Sequence, residues 1–292
     1  MTNAEYKVKY SKYLDLFNKY CEKVFCDVES DNNLTSAMKY SFFAGGKRIR
    51  PILSLALAES FCANLDEVLP FALAIECIHT YSLIHDDLPA LDNDVLRRGK
   101  PTCHVKYDES TAILAGDALL NFAFEHVLMH SNSSSDISAL LYLAECSGYK
   151  GMLSGQQTDV ESENVEGNEE LLLKIHELKT CKLLTAPLVI SAIKFNPTKK
   201  SLCEEFGYLA GLIFQFSDDL LDVLSSADKF GKSVGKDEKS GKFTSVKLYG
   251  IDNVKLKIET LSQNAVKIAN LLDNTGFLQC FINEITGRIN EN

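Results

Sequence analysis

The stretch LPFALAIECIHTYSLIH, residues 69–85, is apolar on nearly every side of a helix and runs straight into HDDLPALDND. A helix that is apolar all round is stable only where neighbours cover every side, so the chain has to build a bundle around it. The bundle must also accommodate the four carboxylates at the end of that helix: Asp86, Asp87, Asp92 and Asp94. Pro89 disfavours helical backbone at Leu88, which predicts that the helix stops here and presents its acids at a bundle mouth.

The rest of the sequence supplies the covering helices. Segments near 52–62, 111–130, 137–156 and 202–224 repeat apolar residues at spacings of three and four, each forming a face wide enough to bury. With six prolines in 292 residues and no alternating β-branched pattern, the expectation is an all-α fold. Turn formers mark loops at Asp31–Asn33, Gly45-Gly46, 92–102, 131–136, 161–170, 195–200 and 225–243. None has the length or bias of a domain linker, and no fixed-period repeat occurs, so residues 1–292 read as a single domain. A chain of this length buries roughly three quarters of the surface of its unfolded form, enough for a large core or an internal cavity.

Thirty basic against 40 acidic residues leave a net charge of −10, which repels polyanions and argues against nucleic acid as a partner. The nine cysteines are odd in number and contain no C-x-x-C pair, consistent with reduced residues of a cytoplasmic protein. The opening residues MTNAEYKVKYSKYLDLF carry no long apolar run, so neither a secretory signal nor a transmembrane segment is expected there.

A second acidic cluster, QFSDDLLD at 215–222, lies inside another apolar segment, where Asp218 and Asp222 share one helix face about 6 Å apart. Carboxylates projecting from apolar helices are costly unless paired or bound to a cation. With no His or Cys at zinc spacing nearby, an all-oxygen ligand set points to Mg²⁺, which keeps waters and shares its shell with phosphate oxygens. Two facing clusters therefore suggest a cage for a metal-bound diphosphate; acidic helix ends paired with lysines are the alternative. Basic residues gather in GGKRIRP at 45–51, in Arg97-Arg98-Gly99-Lys100 and in the spaced lysines 229, 232, 236, 239 and 242. Arginine forks and lysine point charges suit phosphate, although the last group also fits a solvated surface run. His79, alone on the apolar helix, reads equally as a satisfied core residue.

GGKRIRP, SLIHDDLPALDNDVLRRGKPTCH, LAGDALL, GQQTD, HELKT and FQFSDDLLD follow one another in an order and spacing that resemble the trans-prenyltransferases. Specifically, the chain is similar to short-chain isoprenyl diphosphate synthases of the bacterial farnesyl diphosphate synthase type, over about residues 34–290. That resemblance implies an isoprenoid-synthase helical bundle around a central apolar cavity, forming a homodimer. It implies three Mg²⁺ held between the Asp motifs, with Asp86, Asp92 and Asp218 as ligands and Asp87, Asp219 and Asp222 as additional or water-mediated ones. Arg97, Lys179, Lys232 and Lys242 would hold the allylic diphosphate, and Lys47, Arg50, His79 and Arg98 the isopentenyl diphosphate. Thr180 and Gln215 would line the carbocation and complete, with Lys179, the catalytic set. Gln156 and Asp159 of GQQTD would either orient neighbouring helices or touch substrate.

The implied reaction is head-to-tail condensation of isopentenyl diphosphate with dimethylallyl and then geranyl diphosphate. Product length in the family depends on bulk one helical turn, 5.4 Å, below the first Asp motif. Large Tyr81 with small Ser82 resembles the farnesyl (C15) pattern; geranylgeranyl (C20) synthesis and a catalytically silent subunit of a heteromeric enzyme are the alternatives. A terpene cyclase would have no use for GGKRIRP. Cys181-Lys182, in place of the usual small pair, puts the pocket shape near Thr180 in question.

Overall fold

The computed structural model describes residues 1–28, 32–163, 165, 167–224 and 243–289. Among these, helices follow one another as α1 (Asn3–Cys26), α2 (Asn33–Phe42), α3 (Ile49–Ser60), α4 (Leu69–Asp86), α5 (Cys103–Lys106), α6 (Glu109–His130) and α7 (Ser134–Ser147). They continue as α8 (Met152–Glu161), α9 (Glu169–His176), α10 (Lys182–Phe195), α11 (Lys200–Leu224), α12 (Ser245–Tyr249), α13 (Ile251–Leu272) and α14 (Phe277–Gly287). The all-α expectation holds. Lys232 and Lys242 lie outside the described residues.

The apolar circumference of α4 finds the cover it needs: α6, α3, α10 and α2 pack against it, and it is buried from Leu69 through Ile78. Around it, α10 packs on α7, α3 and α11, and α11 packs on α13. Local signals set the ends. Thr2 with Glu5 and Ser133 with Asp136 form capping boxes, and α4 stops at Asp86, ahead of Pro89. The buried residues form one continuous apolar cluster from Tyr6 to Ile285. The stretches Leu65–Asp86 and Glu109–His130 are each long and apolar enough to cross a membrane, but 78% of the first is buried in the bundle, so its composition serves the core. The second is 39% buried and leaves Ile113, Leu114, Leu128 and Met129 exposed.

Two details depart from the sequence reading. The stretch 137–156 is not one helix: α7 ends at Ser147 and α8 begins at Met152. Both halves carry apolar faces, which hides the break, but the chain turns at Gly151 so tightly that a side chain there would collide with the carbonyl oxygen of Cys146, and only glycine fits. The loop at 92–102 also contains a two-residue antiparallel ladder, β1 (Leu96–Arg97) with β2 (Lys100–Pro101). The connecting Arg98 and Gly99 both have positive φ, 55° and 74°, as the tight hairpin turn matching strand twist requires.

Candidate active site

The first acidic motif folds back on the helix that carries it. The Asp92 N–H donates to the Asp86 carbonyl at 2.9 Å, and the Asp94 N–H to the Asp87 carbonyl at 3.1 Å, with Asn93 in the left-handed region at φ 51°. Asp92 and Asp94 thereby sit beside the end of α4. Neighbouring carboxylates have opposite surroundings. Asp87 is buried and clamped by Arg97, whose Nε lies 2.8 and 2.9 Å from its two oxygens and whose Nη2 lies 2.5 Å from Oδ1. Burial pushes the Asp87 carboxyl up, and Arg97 pulls it partly back. Asp86 is half-buried and accepts a hydrogen bond from Gln156 Nε2 at 2.7 Å.

The second motif repeats the division. Asp219 is buried and accepts from the Ser245 N–H (2.8 Å), the Ser245 hydroxyl (2.7 Å) and Gln215 Nε2 (2.9 Å), with His176 Nε2 3.8 Å away. Gln215 Oε1 in turn accepts the Thr180 hydroxyl at 2.9 Å. A continuous chain of hydrogen bonds thus runs Ser245, Asp219, Gln215, Thr180. Asp218, with a side chain 39% exposed, pairs with Arg288 at 2.9 Å, and Asp222 is partly exposed one turn on. No local pattern marked Arg288, at the end of α14, as a partner of α11. Among the motif aspartates, Asp87 and Asp219 are buried, whereas Asp86, Asp92, Asp218 and Asp222 are partly exposed.

Lys179 and Thr180 lie on a single π-helical turn, Glu177–Cys181, between α9 and α10, the kind of irregularity that often re-aims side chains at functional sites. Gly155 of α8 packs directly on that turn: a Cβ there would collide with the Lys179 backbone nitrogen and lie 2.7 Å from the Leu178 carbonyl carbon. Lys179 Nζ donates to Asp159 Oδ2 at 2.6 Å. Gln156 and Asp159 therefore orient Asp86 and Lys179 from α8. Cys181 does not crowd Thr180; its Sγ lies where a side chain at Gly211 of α11 would be, 2.5 Å from that position. A cleft of about 420 Å³ behind this turn is lined by Cys181, Lys182, Tyr142, Tyr208 and Glu177 and by none of the motif aspartates.

A separate basic pocket forms beside α4. Gly46, at φ 128°, meets the Arg98 guanidinium so closely that a Cβ would lie 2.7 Å from Cζ, and Arg98 also donates to the Gly45 carbonyl. The buried Nε of Arg50 has no hydrogen-bond partner among the described residues. Burial, then Arg50, Arg98, Arg97 and Arg48, hold the His79 imidazole well below its usual pKa, so it is neutral at pH 7. Lys47 is exposed, and its carbonyl accepts the Tyr10 hydroxyl at 2.5 Å. A neutral imidazole and an arginine N–H left unbonded among the described residues, near enough to influence each other electrostatically, are groups whose chemistry suits an anion.

Tyr81 is 2% exposed, its ring is edge-on to His85 at 5.8 Å, and its buried hydroxyl has no hydrogen-bond partner among the described residues; burial pushes it up to about 12. Ser82 donates to the His79 carbonyl of its own helix at 2.9 Å and takes little space.

Among the described residues no three Asp, Glu, His or Cys side chains converge on one metal position. The partly exposed carboxylates nevertheless suit Mg²⁺ as it is usually held, by one or two carboxylates plus water and phosphate oxygens, and not by a closed protein cage.

Residues 31–273 match the polyprenyl synthetase family. The chain is 43% identical to the farnesyl diphosphate synthase of Micrococcus luteus, over 82% of this chain and 83% of that protein. It is 44% identical to geranylgeranyl pyrophosphate synthase 4 of Arabidopsis thaliana, over 80% of this chain but only 64% of the longer plant protein. Among solved structures, a geranyltransferase of Helicobacter pylori complexed with magnesium and isoprenyl diphosphate superposes with a TM-score of 0.81 at 34% identity, covering 96% of this chain and 98% of that one.

Proposed function

The chain belongs to the polyprenyl synthetase family and is an isoprenyl diphosphate synthase, and from that premise we propose that it is a Mg²⁺-dependent farnesyl diphosphate synthase. In this reading it condenses isopentenyl diphosphate with dimethylallyl and then geranyl diphosphate, releasing diphosphate at each step.

Asp86, Asp92 and Asp218 are the residues that would hold the metal, three ions in the resemblance, while Asp87 and Asp219 shape the site through Arg97 and Gln215. When bound, Mg²⁺ neutralises the charge that builds on the diphosphate as its bond to the allylic carbon ionises. Lys179 gives one of its three N–H groups to Asp159 and offers the rest to the allylic diphosphate, together with Arg97 and, by resemblance, Lys232 and Lys242. Thr180 commits its proton to Gln215, which leaves its oxygen lone pairs for an allylic cation. Lys47, Arg50, His79 and Arg98 take the isopentenyl diphosphate, with neutral His79 as an N–H donor. Its double bond attacks the cation, and the proton lost goes to the released diphosphate, so no side chain need serve as general base. The apolar helices around the site exclude the water that would quench the cation.

The observation that carries the C15 assignment is Tyr81, large, buried and about one turn below Asp86, as a floor under the growing chain. The 44% identity to a geranylgeranyl synthase, beside 43% to a farnesyl synthase, keeps the C20 alternative, which differs only in where the floor lies. The homodimer implied by the resemblance would cover the apolar residues exposed on α6 and α7, among them Leu114, Met129, Ile137 and Leu141, and the protein would act in the cytoplasm as a single catalytic domain. The test is incubation of the protein with Mg²⁺, dimethylallyl diphosphate and labelled isopentenyl diphosphate, followed by dephosphorylation and sizing of the alcohols. Farnesol is the expected product; geranylgeraniol would move the floor away from Tyr81, and no product would overturn the enzyme reading.

A further inference from the structure

We propose that the buried ion pair of Arg48 with Glu76 is the positioning element of the isopentenyl diphosphate pocket, holding Lys47 and Arg50 in register with His79; this rests on the reading of that pocket given above. Glu76 is the only acid between Leu69 and His85, and it is 2% exposed in the most apolar part of α4. Stability is a poor reason for it to be there, because replacing a buried ion pair by apolar groups is often neutral or stabilising.

The geometry supplies another reason. Arg48 is 6% exposed and ties three elements together: its Nη1 donates to Glu76 Oε1 at 2.6 Å, its Nη2 donates to the Phe42 carbonyl at the end of α2 at 2.5 Å, and its guanidinium lies 4.7 Å over the Phe42 ring. It does so from the left-handed region, φ 53° and ψ 36°, a conformation that costs a non-glycine residue about 1 kcal/mol or more and persists only when its surroundings impose it. The same residue starts α3, accepting the Ile52 N–H at 3.1 Å, and stands between Lys47 and Arg50. If the side chain loses its partners, the backbone is free to relax, and Lys47 swings relative to Arg50. Glu76 meanwhile lies three residues before His79, on the same side of α4, where its charge faces Arg48, Arg50 and Arg98 and offsets their mutual repulsion before any diphosphate arrives.

The test uses the full-length enzyme and steady-state kinetics with each substrate varied in turn. The double variant Arg48→Met/Glu76→Leu removes the pair without leaving a buried charge, so it should fold with a melting point near that of the parent. Its KM for isopentenyl diphosphate should rise at least tenfold while its KM for geranyl diphosphate stays within twofold. Arg48→Lys keeps the charge but cannot bridge Glu76 and Phe42 together, and should give a smaller rise in the same constant. An unchanged KM for isopentenyl diphosphate in the double variant overturns the proposal, as does an equal rise in both constants. If the double variant does not fold, an unchanged constant in Arg48→Lys overturns it alone. Arg50→Ala serves as the control: if it leaves isopentenyl diphosphate binding intact, the pocket has been misassigned, and the parent enzyme's own turnover tests the reaction independently.

Discussion

Asp218 and Asp219 are adjacent in sequence, yet replacing each by alanine should have opposite consequences. Asp219→Ala strips the acceptor from three donors, the Ser245 N–H, the Ser245 hydroxyl and Gln215 Nε2, in a site 4% exposed. The serine hydroxyl can rotate to another acceptor, but the backbone N–H and the amide cannot both do so. Two buried donors left without partners at about 1–2 kcal/mol each, plus a small cavity, give a loss of about 3–4 kcal/mol. For a chain of this size that is a fall in melting temperature of roughly 5–7 °C. Turnover should fall about 10- to 100-fold, because Gln215 and Thr180 lose their anchor. Asp218→Ala removes a partly exposed ion pair with Arg288, worth about 0–1 kcal/mol, yet should lower turnover by about a thousandfold or more if it is a metal ligand. Urea unfolding followed by circular dichroism, with m compared to confirm the same transition, and product formation on the same preparations decide it. A loss below about 1 kcal/mol for Asp219→Ala, or near-normal turnover for Asp218→Ala, would refute the division of roles.

Gly155→Ala should drive a methyl group into the Lys179 backbone, lowering kcat by about tenfold or more at a stability cost of about 1–3 kcal/mol; an unchanged kcat would show that α8 does not position the π turn. His126, buried against Tyr20 at 2.8 Å, is lowered to about 4 by burial and by His130. Above pH 6.5 neither folded nor unfolded protein carries that proton, and below it the unfolded chain binds it first, so stability falls with pH down to about 4. Between pH 7.5 and 5 this amounts to about 2 kcal/mol, and His126→Gln should remove that much of the pH dependence of the urea midpoint. Chelation with EDTA should abolish turnover while leaving the far-ultraviolet dichroism unchanged, since Asp87 and Asp219 keep their protein partners; loss of helicity would assign the metal a structural role.

Much of the bundle was legible because its information is local. The apolar circumference of 69–85 demanded burial, the three-and-four spacing elsewhere supplied its neighbours, and Pro89 marked where the acids would emerge. The same locality explains the failures: two amphipathic halves at 137–156 look alike whether or not a break separates them, and the close approach of Gly151 to the Cys146 carbonyl that marks the break belongs to three dimensions. Residue types, their order and the diphosphate chemistry they suit were therefore determined by the sequence itself. Which aspartate of each adjacent pair is buried was decided by tertiary structure, because neighbours on a helix point about 100° apart and only the fold brings the Arg97 hairpin to Asp87 or Ser245 to Asp219. The pairings of Arg48 with Glu76 and of Arg288 with Asp218 join residues 28 and 70 positions apart, beyond the reach of any periodicity, so only the packed bundle determines whether such a charge is neutralised by protein or left for substrate.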